Sequence, residues 1–279
     1  MRPESVKQII SAITTLGGIA DDQAKCMLVF AHPDDEVIAA GARLRAFRNA
    51  HFIYVTDGAP RDERDSRSKG FRTLDAYRQA RFHELNRAFR LAGIQSSQQQ
   101  CLGYSDQESA YKLPELTETI ANLIRAHRVQ VVLTHPYEGG HPDHDAAAFA
   151  VHAAARLLEE PPLIVEAPFY HQGPHGIETG KFLRSSETEE VVYTLSDAER
   201  AHKRALLDCF TTQRETLRYF STQMERYRSS PQYVFTEPPH PGSVFYDRFS
   251  WGITSDQFCR MASESEKKLT FVRPVRCSQ

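Results

Sequence analysis

Apolar positions along the chain follow two patterns. Continuous runs, led by Cys26-Met27-Leu28-Val29-Phe30-Ala31, read as strands buried on both faces of a parallel sheet. Between them lie segments whose apolar residues recur at helical spacing. The runs predict strands at about 26–31, 52–56, 129–134, 163–167 and 191–195, with a short one near Cys101. The helical spacing predicts helices at about 36–49, 74–91, 113–127, 143–158 and 197–227. Phe82, Leu85, Phe89 and Ala92 mark one face of the second helix, and Gly93 supplies a C-terminal stop. Strands alternating with helices predict an α/β fold, a mostly parallel sheet with helices on both faces.

No internal repeat or linker breaks this pattern, so residues 1–279 are expected to form one domain. Val6, Ile9, Ile10, Ile13 and Leu16 predict a short amphipathic helix within about residues 1–20. Pro231, Pro238, Pro239 and Pro241 cluster near the other end, and an irregular extension is expected over about 228–279. The charged stretch 61–72 reads as a loop, ordinarily a solvated face, but placed after a sheet strand where it can act as a substrate lid.

Composition narrows the function. Lys plus Arg is 34 and Asp plus Glu is 36, a net charge of −2. That lacks the basic excess of a nucleic-acid binder. No apolar run approaches the ~20 residues that span a bilayer. The N-terminus is too polar for a signal-peptide core. The five cysteines are scattered with no C-x-x-C, so neither a disulfide framework nor a cysteine zinc site is expected. That usage points to the reducing cytoplasm. G-x-G-x-x-G, G-x-x-x-x-G-K-[ST] and G-x-S-x-G are all absent, which removes the signatures of dinucleotide, P-loop and serine-hydrolase chemistry.

Two segments carry candidate chemistry. Ala31-His32-Pro33-Asp34-Asp35-Glu36 follows the first strand, and His141-Pro142-Asp143-His144-Asp145 follows the strand that ends near Thr134. Both lie beyond the C-terminal ends of strands, where open α/β sheets bind ligands. Imidazole and carboxylate are the ligands of catalytic zinc, which takes three protein ligands and keeps a position for water. His32 and Asp35 are three residues apart, so one turn can aim both at one point, and His144 or His141 can supply the third ligand. Asp34 is then free as a base, and the remaining histidine can face a developing oxyanion. The bland alternatives are a solvated Asp-Asp loop and an Asp143 that only caps its helix. For His135, His171, His175 and the other histidines, surface or core roles are the simpler reading.

The paired AHPDDE and HPDH segments resemble those of the PIG-L/LmbE-like family of zinc-dependent de-N-acetylases. Thr56-Asp57-Gly58 resembles that family's T-x-G segment, and Arg81-Phe82-His83-Glu84 with Leu91-Ala92-Gly93 resembles its R-x-x-E…LG helix. The resemblance implies a Rossmann-like fold and hydrolysis of an N-acyl group, typically N-acetyl on a glucosamine-type sugar. It implies that His32, Asp35 and His144 bind zinc and that Asp34 is the general base. It implies that His141 stabilises the oxyanion as an imidazolium, with Asp143 orienting and charging it. It places Arg81 in the substrate site and gives Glu36 a supporting role. Tyr137 lies near, but out of register with, a tyrosine that assists the oxyanion in some sugar deacetylases of the family.

The partner the resemblance implies is a small N-acylated molecule, typically a sugar; no nucleic acid and no membrane span are expected. Homo-oligomer formation is left open, as is the choice between Zn2+ and another divalent ion, since an N/O site accepts several. Two other functions compete: a zinc amidase acting on a thiol conjugate or acylated natural product, and a non-catalytic α/β binding module. The intact Asp34 and ligand set argue against the last.

Overall fold

The computed structural model describes Ile10 and residues 25–271. Apart from Ile10, the helix expected within residues 1–20 lies outside the described residues, as do residues 272–279 of the expected extension.

Strands β1 (Cys26–Phe30), β2 (His51–Thr56), β3 (Gln99–Tyr104), β4 (Val131–Thr134) and β5 (Leu163–Glu166) lie in one sheet with β8 (Val191–Thr194) and β9 (Met224–Ser229). A separate hairpin pairs β6 (Tyr170–Gly173) with β7 (Gly176–Thr179). The sheet order is β3-β2-β1-β4-β5-β9-β8. The first five strands are parallel; β9 runs antiparallel to β5, and β8 antiparallel to β9. This is the expected α/β architecture.

β1 and β4 are central because their residues are apolar on both faces. Met27, Val29 and Val132 point into a layer built on the helices Leu113–His127, Pro142–Arg156 and Ser255–Lys268. Leu28, Phe30 and Leu133 point the other way, toward the helices Asp35–Ala40, Leu74–Ala92 and Asp197–Leu207. The chain leaves β1 toward β2 and β3 on one side, then returns to place β4 and β5 on the other. The crevice between the C-terminal ends of β1 and β4 is therefore the topological switch point, where connections diverge and a ligand can enter.

Several expected elements differ in form. The helix expected at 36–49 is α-helical only through Ala40 and continues as a 3-10 helix over Gly41–Phe47. Glu225 reaches in to accept the Ala42 backbone N–H at 2.8 Å, taking a donor the α-helical ladder would use. The helix expected at 197–227 ends at Leu207; a short helix at Arg214–Leu217 and then β9 follow. β9 reads as polar because its inward residues include charged ones. Glu225 and Arg228 are buried, with Lys203 Nζ 2.9 Å from Glu225 and Arg228 Nε 3.1 Å from Glu166.

The extension expected to be irregular over 228–279 holds the helix Ser255–Lys268, started by a Thr254–Gln257 capping box and docked through Phe258, Cys259 and Ala262. The loop expected at 61–72 contains one turn of helix, Arg64–Ser68. Among the described residues, no helix is long and apolar enough to cross a membrane.

Candidate metal centre and active site

β1 runs straight into His32, and the helix at Asp35 begins after Asp34, whose φ is +123°. A non-glycine residue there is strained, and such strain persists only where surrounding contacts hold it. On the facing side, His141 caps the helix Pro142–Arg156, its Nδ1 accepting the Asp143 backbone N–H at 3.1 Å. One turn on, His144 projects toward the β1 loop. Asp145 ties the approach loop down by accepting the backbone N–H groups of Glu138 and Gly139 at 3.3 and 3.1 Å.

The two motifs meet. His32 Nδ1 and His144 Nε2 lie 3.3 Å apart. Asp35 adds Oδ2 at 3.6 Å from the first and Oδ1 at 3.6 Å from the second. Two ring nitrogens this close repel through their lone pairs unless a proton or cation stands between them. Ligand nitrogens bonded tetrahedrally at about 2.05 Å sit about 3.3 Å from one another, so the spacing fits a zinc-sized ion. Burial opposes charge on Asp35, yet His144 and His135 hold its carboxyl well below the usual range. Burial and the charge of His135 keep the His144 ring well below its usual pKa, in the neutral form that ligates metal.

The far nitrogen of His32, Nε2, lies 3.3 Å from both Asp106 Oδ1 and Asp143 Oδ2. A carboxylate behind a ligating histidine fixes its tautomer and leaves the near nitrogen as the donor to metal. His32, Asp106, His141 and Asp143 also approach one another closely enough to hold an ion. Their hydrogen bonding argues for another use. His32 Nε2–H is turned to carboxylates, and His141 Nδ1 already accepts a backbone N–H, so the His141 proton sits on Nε2. The nitrogens of that cluster are thus engaged, whereas His32 Nδ1 and His144 Nε2 face each other.

Asp143 departs from the role the resemblance implied. Its carboxylate stands 3.8 Å from His141 Nδ1 and is committed elsewhere. Oδ2 accepts the Gln107 N–H at 2.5 Å, and Oδ1 accepts the N–H and hydroxyl of Ser109 at 3.1 and 2.5 Å. Asp143 orients His141 through its backbone N–H, and the pull of its carboxylate on the ring is outweighed by burial and His32. Burial and His32 push His141 down to about 4 against the pull of Asp143 and Asp106, which favours a neutral ring over the imidazolium the resemblance implied.

Asp34 faces the cavity from beneath. Burial pushes it up to about 7 against the pull of Arg81. Arg81 is buried and spends its guanidinium on the Gly58 carbonyl (2.6 Å), the Pro33 carbonyl (2.9 Å) and Asp34 Oδ2 (3.1 Å). It lines the cavity, and its hydrogen bonds make it a clamp on the Asp34 turn. Gly58, at φ +65°, is needed because a Cβ there would meet Arg81 Cζ at 2.9 Å. Glu36 accepts the Asp34 N–H at 3.0 Å, bracing the same turn. Glu84, the acid of the R-x-x-E pattern, accepts from Thr211 Oγ1, Thr212 N and Thr212 Oγ1 at 2.5–2.9 Å.

These residues open into a cavity of about 380 Å³. Its wall includes residues that sequence reasoning did not select. Asp106, Tyr170 and Trp251 line it, and Trp251 lies 4.7 Å from the His141 ring. His135, fully buried, stacks on His144 at 4.0 Å, accepts the Ala31 N–H at 2.9 Å and lies 3.3 Å from Asp35. The His135-Pro136 dipeptide after an apolar strand was the one available signal. Tyr137 is elsewhere: its hydroxyl donates to the Glu237 carbonyl at 2.8 Å, and its ring packs on Phe235 and Phe258. The 61–72 segment does reach the cavity, through Asp62, Arg64 and Asp65.

The sequence pattern of the PIG-L family, described as GlcNAc-PI de-N-acetylase, matches residues 27–155, the span that holds both motifs. Over that span the chain is similar to the PIG-L family. A protein of Bacillus anthracis named "Probable N-acetyl-alpha-D-glucosaminyl L-malate deacetylase 2" is 29% identical over 182 residues, 63% of this chain and 79% of that one. Solved structures share the fold. A deacetylase of the teicoplanin biosynthesis pathway has a TM-score of 0.58 at 16% identity over 73% of this chain and 96% of its own. The N,N'-diacetylchitobiose deacetylase of Pyrococcus horikoshii has 0.51 at 17% identity, over 83% and 93%.

Proposed function

We propose that this chain is a metal-dependent deacetylase that removes an N-acetyl group from an amino sugar or its glycoside. The reading rests on one observation above all. Two histidine ring nitrogens face each other at 3.3 Å beside a carboxylate, in a cavity that Asp34 and His141 also line. The relatives' names, deacetylases of a glucosaminyl malate and of diacetylchitobiose, support the sugar class.

His32, Asp35 and His144 would hold the ion, and the N/O donor set suits zinc. When bound, zinc supplies an acidified water and polarises the acyl carbonyl. Asp34 accepts the water's proton, held in place by Arg81 and Glu36. His141 Nε2–H donates to the carbonyl oxygen as negative charge builds. Its Nδ1 stays occupied by the backbone of Asp143, so the donor nitrogen cannot switch without breaking the cap. Asp34 then delivers its proton to the departing amine, since a protonated carboxyl is a far stronger acid than a neutral imidazole. Among the described residues, the cysteines at 26, 101, 209 and 259 form no disulfide, which fits a reducing compartment, and we assign the reaction to the cytoplasm.

Acetate release from N-acetylglucosamine glycosides tests the reading, with Asp34→Ala as control. We expect release by the wild type, and a variant that keeps its metal and loses about 100-fold or more in rate, the scale of general-base removal. Metal-loaded protein that releases no acetate, yet cleaves larger acyl amides, would move the assignment to the amidase reading. An Asp34→Ala variant as fast as wild type would remove Asp34 from the mechanism.

A further inference from the structure

The cavity has two unlike walls. Ile38, Tyr170, Leu217, Phe220 and Trp251 form an apolar arc. Behind it, Phe249 stacks on Trp251 at 4.6 Å, and Phe245 packs on Tyr170 at 5.6 Å. The opposite wall and floor carry the carboxylates of Asp34, Asp35, Asp62, Asp65 and Asp106.

Among the described residues that line the cavity, the arginines are Arg64 and Arg81. Neither is free. Arg81 is clamped to Asp34 and two backbone carbonyls. Arg64 Nε lies 2.9 Å from Asp62 Oδ2. Five carboxylates line this space against two committed guanidinium groups, so acids outnumber arginines there. A carboxylate entering this space meets no unpaired arginine in the described wall, and it is repelled by Asp65 and Asp106. Buried Asp106 belongs to the same lining, with Oδ1 3.3 Å from His32 Nε2 and 3.7 Å from His141 Nε2.

The geometry points to a substrate whose part beyond the acetamido group is neutral or positively charged, with an apolar face laid on the Trp251–Tyr170–Phe220 arc. A dicarboxylate such as malate in that position is disfavoured by charge. This inference rests on the deacetylase reading and separates the chain's specificity from the glucosaminyl malate named for its Bacillus anthracis relative.

Trp251 is the chain's single tryptophan and lines the cavity, so its fluorescence reports binding without turnover. Three N-acetylglucosamine glycosides serve as probes on the zinc-loaded protein: aminoethyl (cationic), methyl (neutral) and malyl (anionic). Stopped-flow quenching read before turnover gives the three affinities. We expect the cationic and neutral probes to bind about tenfold or more tightly than the malyl one, the size of one or two unscreened like-charge contacts. Asp65→Asn, an exposed change outside the catalytic groups, should narrow that gap, and so should added salt.

Malyl binding as tight as methyl binding overturns the inference. So does a gap that neither salt nor Asp65→Asn moves, and so does quenching by none of the three. Failure of the deacetylase reading looks different: the probes rank as expected by Trp251 quenching, but none yields acetate.

Discussion

Arg81 Nη2 donates to Asp34 Oδ2 at 3.1 Å and to the Pro33 carbonyl at 2.9 Å, so one buried guanidinium holds both the side chain and the turn of a residue whose φ is +123°. The clamp explains how a strained turn between β1 and its helix stays in one shape. Lysine carries the charge but not the planar fork that reaches three acceptors. We therefore expect Arg81→Lys to lower kcat about 100-fold, the cost of a displacement near 1 Å, with KM and bound metal little changed. Steady-state kinetics and elemental analysis on the same preparation check this; an unchanged kcat would show that Asp34 does not depend on the clamp.

Gly140 sits against the Tyr170 backbone, where an added Cβ would stand 2.0 Å from the carbonyl oxygen. Neither side is a flexible side chain, so the loop and β6 must separate. Gly140→Ala should cost about 1–3 kcal/mol, as overpacking does, and shift Tyr170 in the cavity wall. Thermal denaturation measures the first effect, and a raised KM reports the second. A Tm equal to wild type would contradict the contact.

The antiparallel edge is anchored by a buried charge. Glu225 receives Lys203 Nζ at 2.9 Å, Ala42 N at 2.8 Å and Tyr227 Oη at 3.2 Å. Removing Lys203 leaves the buried Glu225 with one cation in place of two, the Arg43 guanidinium at 3.3 Å. Lys203→Met should destabilise the fold by about 3 kcal/mol, and pairing it with Glu225→Gln should recover part of the loss. Chemical denaturation of the single and double variants decides it; equal loss in both would mean that the pair is not coupled.

Glu84 acts on the cavity at a distance. It fixes the Thr211–Thr212 turn, and the segment that follows carries Thr216, Leu217 and Phe220 into the cavity wall. Glu84→Gln keeps the shape and loses the charged acceptor, so KM should rise about tenfold, the worth of one charge-assisted hydrogen bond, while kcat falls less. A fall in kcat at constant KM would place Glu84 in the chemistry instead.

Much of the frame was legible because apolar sequence and burial coincide in it. β1 and β4 are buried on both faces, so they read as continuous runs, and the motifs that follow them lie at the switch point for that reason. β9 was misread as helix because Glu225 and Arg228 face inward as paired charges, which a hydropathy pattern scores as surface. The same limit hid parts of the site. His135 is a lone histidine until stacking on His144 gives it a place, and Asp106 is one acid among many until the loop after β3 brings it to His32. Tyr170 and Trp251 reach the cavity from the hairpin and the C-terminal region, beyond residues 27–155 that the family pattern matches. Local pattern carries no record of such long-range approach.

The central claim is that His32, Asp35 and His144 form the metal site while His141 serves the reaction from beside it. Elemental analysis of purified, untagged wild type, His144→Ala and His141→Ala tests it most directly. We expect about one zinc per chain in the wild type and in His141→Ala, whose turnover is nonetheless much reduced, and little or none in His144→Ala, since a site that keeps three protein ligands cannot spare one. Full occupancy in His144→Ala, or loss of metal from His141→Ala with retention in His144→Ala, would contradict the claim and move the ion to the neighbouring cluster of His32, Asp106, His141 and Asp143.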